Sequence, residues 1–254
     1  MAGCTPAWYC EQNPACCSIL RLNFPLLKGS PLSELRYKTI PNPEVICGSI
    51  YPSDRTEAQI LGLISIIQPR MLAFEWPTHR RDKPAMEFMN ELSDKYFVWE
   101  RVLSWAEFGV PQDRNRLYIV GFRRDIRLKF IAFPFPEGPG VPAPCGPLLD
   151  QNPSPSLSVA SIRRPSGAKF GFETKMVDPS RPFPTIPSNY HKGEHSVLVA
   201  GPQPRRLSPQ ECKRAMGFGP EYVLPQQVLA AYHVCMGASP IVAKAIFEEL
   251  KVWR

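Results

Sequence analysis

Apolar positions recur along this chain in two rhythms. Leu117-Tyr-Ile-Val-Gly-Phe122 is an unbroken apolar run, the signature of a strand buried on both faces. Arg70-Met-Leu-Ala-Phe-Glu75 repeats the pattern and ends on an acid, with Trp76-Pro77 predicted to turn the chain away. Glu44-Val-Ile-Cys-Gly48 and the stretch from Tyr96 to Ala106 read as further extended segments. Between them the period lengthens. Ala15 to Phe24 reads as a helix, with Pro14 suited to its first turn and Pro25 ending it. Glu57 to Ile67 is helical by period until Gln68-Pro69 breaks it. Lys83 to Asp94 is amphipathic, with Met86, Met89 and Leu92 expected on one face and Phe88 beside them. Helices and strands alternating in this way predict an α/β fold with a largely parallel sheet.

The rhythm stops at Arg123. From there to Arg206 prolines crowd the chain, as in Phe133-Pro-Phe-Pro136, Gly138-Pro-Gly-Val-Pro-Ala-Pro144 and Asn152-Pro-Ser-Pro155. No helical period survives, so the span is predicted to be irregular or short-stranded. Order returns at Arg205-Arg-Leu-Ser-Pro-Gln-Glu211. Ser208 is a good N-cap, Pro209 suits the first helical position, Glu211 completes a capping box and Gly217 ends the helix. Val228 to Trp253 holds two helical segments divided at Gly237-Ala-Ser-Pro240, the second started by Ser239 and Pro240. The expected organisation is a large domain from residues 1–125 and 207–254, and a small one from 126–206.

Composition adds bounds. The chain has 254 residues, 44% of them hydrophobic, enough for a substantial core. Lys and Arg total 30 against 23 Asp and Glu, and the net charge of +7 suits a polyanion such as nucleic acid. The 8 cysteines show no paired Cys-x-x-Cys spacing, so no metal site is expected. Their apolar surroundings are those of buried free thiols, which points to an intracellular, reducing compartment, cytoplasm or nucleus. No signal peptide opens the chain and no apolar run approaches a membrane span, so no membrane partner is expected.

Some polar residues stand out against this pattern. Gln112, Arg114 and Arg116 precede the apolar run, in phase on an extended chain. Two guanidiniums and an amide there hold something anionic or polar, or else form surface ion pairs at a solvated strand mouth; spacing leaves both readings open. Glu11 lies where a short strand gives way to a helix. An acid there can bind ribose hydroxyls in doubly wound folds, but position alone favours a solvated loop acid. Within 126–206, Arg163, Arg164 and Lys169 are interleaved with Phe170, Phe172 and Tyr190, the texture of a nucleic-acid surface or of a solvated one.

These segments, taken in order, resemble the cytosine-C5 DNA methyltransferase family. Gln112-Asp-Arg114-Asn-Arg116, with Leu-Tyr-Ile-Val behind it, is similar to the family's Gln-x-Arg-x-Arg motif and following strand. Arg206-Leu-Ser-Pro-Gln-Glu211-Cys-Lys-Arg214-Ala-Met-Gly217-Phe218 resembles the helix after its target-recognition region. Glu11-Gln-Asn-Pro14 resembles the ribose-binding acid segment, and Asp178-Pro-Ser-Arg-Pro-Phe-Pro-Thr185 the stretch leading out of the recognition region. The resemblance implies a Rossmann-like S-adenosylmethionine-dependent methyltransferase fold with a small, Pro-rich target-recognition-like domain. It implies S-adenosylmethionine as cofactor and DNA as partner. In the family's chemistry a cysteine thiolate attacks C6 of an extruded cytosine, a glutamate holds the N3 edge and an arginine the O2 edge. Activated C5 then takes the methyl group. By this resemblance Glu75 corresponds to the glutamate, Arg116 to the base-contacting arginine and Arg114 to the motif's other arginine. Glu11 and Ser239 fall on the cofactor side. Arg163, Arg164, Lys169 and Arg206 fall on the DNA side.

The pattern breaks at the reactive centre. The family nucleophile sits in a Pro-Cys-Gln segment, and here that stretch is Cys47-Gly-Ser-Ile-Tyr-Pro-Ser-Asp54. Pro52 or Ser53 takes the cysteine's place, and Cys47 falls several residues too early. The Asp-Leu-Phe-x-Gly-x-Gly cofactor loop is absent, with at most Ala2-Gly3 left of it, so cofactor binding itself is open to loss. Trp76 replaces the Asn of Glu-Asn-Val, and Gly237-Ala-Ser-Pro240 lacks the asparagine of the late Gly-Asn-Ser-Val segment. The expectation is a pseudoenzyme, inactive alone, with a regulatory or DNA- or partner-binding role. The alternatives are a subunit of an active split methyltransferase, with a partner chain supplying the thiol, and a non-enzymatic nucleic-acid-binding module.

Overall fold

A computed structural model of the chain describes residues 5–30, 42–50, 54–78, 83–128, 131–158, 174–192 and 196–252. Tyr9–Cys10 (β1) leads into the helix Pro14–Asn23 (α1) and then Gly29–Ser30 (β2), which pairs with β1 in parallel. Asn13 caps α1: its side-chain oxygen accepts from the amides of Ala15 at 2.9 Å and Cys16 at 3.4 Å. Val45–Ser49 (β3), Asp54–Ile67 (α2), Met71–Pro77 (β4), Lys83–Ser93 (α3), Tyr96–Ser104 (β5) and Asn115–Arg123 (β6) follow. Their four strands form one sheet in the order β3-β4-β6-β5.

Three sequence expectations change here. In this sheet β3–β4 is parallel, but β4–β6 and β5–β6 are antiparallel. The link from β5 to β6 is a 3-10 turn, Trp105–Phe108, closed by Gly109 at φ 77°, and it is too short for a crossover helix. Trp76 and Pro77 continue β4 instead of turning away, because the buried Trp76 indole packs on Phe88 with ring centroids 5.3 Å apart. On α3 the buried positions are Ala85, Phe88 and Leu92, while Met86 is 58% exposed. The helix is rotated by about one position from the methionine face, because 85, 88 and 92 follow the same helical spacing.

The proline-rich span contributes Lys175–Val177 (β7), Val197–Val199 (β8) and Arg205–Arg206 (β9), a sheet in the order β7-β8-β9. Pro209–Ala215 (α4), Val228–Ala231 (α5) and Pro240–Lys251 (α6) complete the described elements. The capping box expected at α4 is present, and Gly217, at φ 82°, lets the chain leave the helix. By length and composition alone Val228–Lys251, with mean hydropathy 1.3, reaches the requirement for a membrane span, against the sequence expectation. The stretch is divided between residues 236 and 240, and its buried residues Ala231, Val242, Ile246 and Leu250 belong to the protein's interior.

Strand alternation sorts the packing. On one face of the main sheet Leu72, Phe74, Trp76, Leu117 and Ile119 pack with residues of α2 and α3. On the other, Met71, Ala73, Tyr118, Val120 and Phe122 pack with Trp105 and with Val242, Ile246 and Leu250 of α6. A further core joins Val177, Phe183, Ile186, Tyr190 and Val197 to Leu207, Cys212, Tyr232 and Cys235. The proline-rich span therefore closes its core on α4 and on residues 232–235.

Glu211 holds that junction. It is fully buried. It takes two bonds of 2.7 Å from Arg205, the Ser208 amide at 2.7 Å and the Asp150 amide at 2.8 Å. Removing one partner of a buried pair strands the other charge. Glu211→Ala is expected to cost about 3–5 kcal/mol in urea unfolding. A loss below about 1 kcal/mol, the worth of a surface pair, would contradict this role.

Candidate functional site

The site forms where the ends of β3, β4 and β6 lie side by side. Register places Ser49 beside Glu75, and Glu75 beside Tyr118. The Tyr118 hydroxyl donates to Glu75 Oε2 at 3.0 Å, and the Ser49 hydroxyl donates to Oε1 at 3.3 Å. Arg116 Nε stands 3.5 Å from the same Oε1. Behind Tyr118, the indole N–H of Trp105 donates to its oxygen at 2.9 Å, so the phenol proton is directed at Glu75. Glu75 is 4% exposed, and both its oxygens are engaged from within the protein.

Gln112 and Arg114, the other two members of the in-phase set, do something different. Gln112 is fully buried. Its Nε2 donates to the Ala215 carbonyl at 3.1 Å, and its Oε1 accepts the Ile186 amide at 3.0 Å. Arg114 donates to the Ile186 carbonyl at 2.8 Å, with its guanidinium 4.8 Å above the Trp105 ring. The two readings left open by spacing therefore divide by residue. Gln112 and Arg114 join the strand to the 183–186 segment and to α4, and Arg116 faces the acid.

The electrostatics follow from burial. Desolvation raises the Glu75 carboxyl above its ordinary value, although Arg114, Arg116, Tyr118 and Ser49 all favour the charged form. Desolvation, with Arg116 nearby, pushes Arg114 down to about 10. Arg116 is lowered chiefly by desolvation, and the Tyr118 phenol is raised by it.

The remaining expected residues lie elsewhere. Glu11 turns onto its own loop, its Oε1 accepting the Gln12 and Asn13 amides at 2.7 Å each. Ser239 is the N-cap residue of α6, fully buried, and its hydroxyl has no partner among the described residues. The Arg206 guanidinium lies between the rings of Tyr190 and Tyr232, at 4.5 and 4.7 Å, and donates to the Tyr190 carbonyl. Pro52, Ser53, Arg163, Arg164 and Lys169 lie outside the described residues, as do Ala2 and Gly3. Ser49, Tyr118 and Trp105 were not anticipated. Tyr118 continues the period-two phase of 112, 114 and 116, which is a signal the sequence did carry.

The raised Glu75 value gives a test. A carboxyl whose folded value lies above the ordinary 4.5 contributes stability that is fully present below that value and is lost as pH rises through the folded one. Glu75→Gln removes this titration. Its stability relative to the wild type should therefore increase between about pH 4 and about pH 7 in urea unfolding. The same difference at both pH values would show that burial does not govern this carboxyl.

Comparison with known proteins adds the ancestry. Residues 58–144 match the model of the C-5 cytosine-specific DNA methylase family. The Type II methyltransferase M.DsaV of Dactylococcopsis salina is 30% identical over 170 residues, covering 61% of this chain and 48% of that protein. M.NlaX of Neisseria lactamica is 28% identical over 174 residues, covering 61% and 53%. The chain thus spans about half the length of these curated relatives. Among solved structures, Spodoptera frugiperda DNMT2 superposes with a TM-score of 0.76 at 15% identity, over 99% of this chain and 93% of that one. The S. pombe Dnmt2 methyltransferase gives 0.76 at 16% identity, over 97% and 90%. At such identities the structures speak for the fold, which is the Rossmann-like methyltransferase fold. The family match and the curated relatives carry the rest: residues 58–144 are a C-5 cytosine-specific DNA methylase segment, and the chain is similar to Type II cytosine methyltransferases over 61% of its length.

Proposed function

We propose that this chain is a non-catalytic cytosine-C5 methyltransferase-like protein that binds DNA through the inherited base site and regulates or accompanies an active enzyme. One observation carries the reading. The group beside Glu75 on β3 is the Ser49 hydroxyl, and Cys47 lies one period-two step earlier, across from Ala73. Cys10, Cys16, Cys145 and Cys212 are poor candidates for the nucleophile. Burial pushes Cys10 and Cys16 up to about 12, and burial also raises Cys145 and Cys212. The thiolate is the covalent catalyst of this chemistry, and a neutral, sealed thiol does not replace it.

Arg116 is the residue proposed to meet the base. Its side chain is 15% exposed, against 4% for Glu75, and it holds the open side of the pair. Tyr118 and Ser49 position Glu75 behind it. S-adenosylmethionine, the methyl donor of the family's chemistry, is the cofactor proposed for the fold. Glu11, fixed through Oε1, would offer Oε2 to ribose hydroxyls, and Ser239 would offer its unpartnered hydroxyl. The proposed large and small domains, divided near 126 and 206, would hold DNA between them.

The decisive assay is methyl transfer from labelled S-adenosylmethionine to DNA by the purified chain. No transfer is expected, and labelled cytosine would overturn the proposal. Transfer only when a second, thiol-bearing chain is co-expressed would identify a subunit of a split enzyme instead. Arg116→Ala is expected to weaken binding of DNA carrying an extrudable cytosine by roughly tenfold, from one lost charge-assisted contact. Equal affinity of variant and wild type would remove Arg116 from the base site.

A further inference from the structure

The end of the sheet remote from Glu75 carries a polar concavity. It encloses about 490 Å³ and is lined by Gln68, Lys95, Tyr96, Arg123, Arg124 and Asp125. Some of these groups are engaged internally. Arg123 bonds both oxygens of Asp125, at 2.7 and 2.9 Å, and reaches the Gln68 carbonyl. The Tyr96 hydroxyl donates to the Pro69 carbonyl at 2.9 Å. Lys95 and Arg124 remain as positive charges in the lining without a paired carboxylate among the described residues. Of the nearby acids, Glu44 pairs with Arg70, and Asp94 is exposed outside the lining.

Arg124 is also shaped for a particular ligand. Its Nε donates to the Ser93 carbonyl at 2.9 Å, and its guanidinium lies 4.5 Å over the Phe97 ring. The ring fixes the guanidinium plane from one side, and the exposed residue keeps its other side and its terminal N–H groups for a ligand.

We propose that this concavity is a second nucleic-acid contact, taking a single-stranded backbone phosphate between Lys95 and Arg124 with an unstacked base laid on the Arg124 plane. Two uncompensated cations around one concavity match a phosphodiester. A guanidinium backed by an aromatic ring gives a base a stacking surface, which a carboxylate of an acidic protein does not use. Stacking requires a base free of its duplex, hence the single strand. Arg116 and Arg123 are seven residues apart on β6, about 23 Å at the strand rise. This contact is therefore separate from the Glu75 site and does not depend on its reading.

Fluorescence anisotropy with a labelled single-stranded oligonucleotide, across a salt series, tests the proposal. Lys95→Gln with Arg124→Gln should weaken binding by roughly tenfold at low salt and flatten the salt slope by about 0.7, the value for one single-strand phosphate. Arg124→Lys keeps the charge and loses the stacking plane, so the slope should persist while affinity falls by roughly fivefold. All three substitutions are at exposed side chains, and circular dichroism checks the fold. The effect of the Lys95/Arg124 double variant should be the same with an oligonucleotide that contains no cytosine, so this proposal and the Glu75 reading fail separately. Unchanged affinity and slope in the double variant would overturn it. So would competition by polyglutamate as strong as by an oligonucleotide of equal charge, which would mark an acidic-protein surface.

Discussion

The buried amide of Gln112 is the constraint on which the arrangement depends. It sits at the mouth of β6 and bonds the Ile186 amide on one side and the Ala215 carbonyl on the other. A buried amide left without partners costs a large fraction of a domain's net stability, so the three segments are tied together. The strand, the exit of the proline-rich span and the end of α4 therefore meet in one geometry. Backbone bonds between Pro111 and Phe183, and between Asp113 and Phe183, reinforce the junction.

That junction fixes where the charges lie. With Gln112 and Arg114 committed to Ile186, the next in-phase residue, Arg116, emerges against Glu75. The acid is desolvated there and is held by hydroxyls as well as by the guanidinium. Tyr118 and Ser49 make the pocket self-satisfied: the carboxylate needs no ligand to remain buried.

Much of this was legible along the chain. The unbroken apolar runs of β4 and β6, the capping box at Ser208 and the in-phase Gln112, Arg114 and Arg116 are local patterns with local physical causes. Glu75 was singled out in the sequence only through its resemblance to a known motif. Its partner Ser49 was not, because β3 and β4 meet through a helix-long crossover and nothing in residues 45–49 announces their register. The sandwich of Arg206 between Tyr190 and Tyr232 was equally hidden, since the two tyrosines are 42 positions apart in sequence.

The sequence by itself determined which segments would be strands and helices, and where α4 would start and stop. These are properties of short windows, set by side-chain period, capping and residue identity. Tertiary structure alone decided the mixed sheet, the rotation of α3 and the division of labour among Gln112, Arg114 and Arg116. It also brought Lys95 and Arg124 to one concavity. Each depends on which distant surface a residue meets, and burial then decides whether a polar group finds a partner or keeps its charge for a ligand.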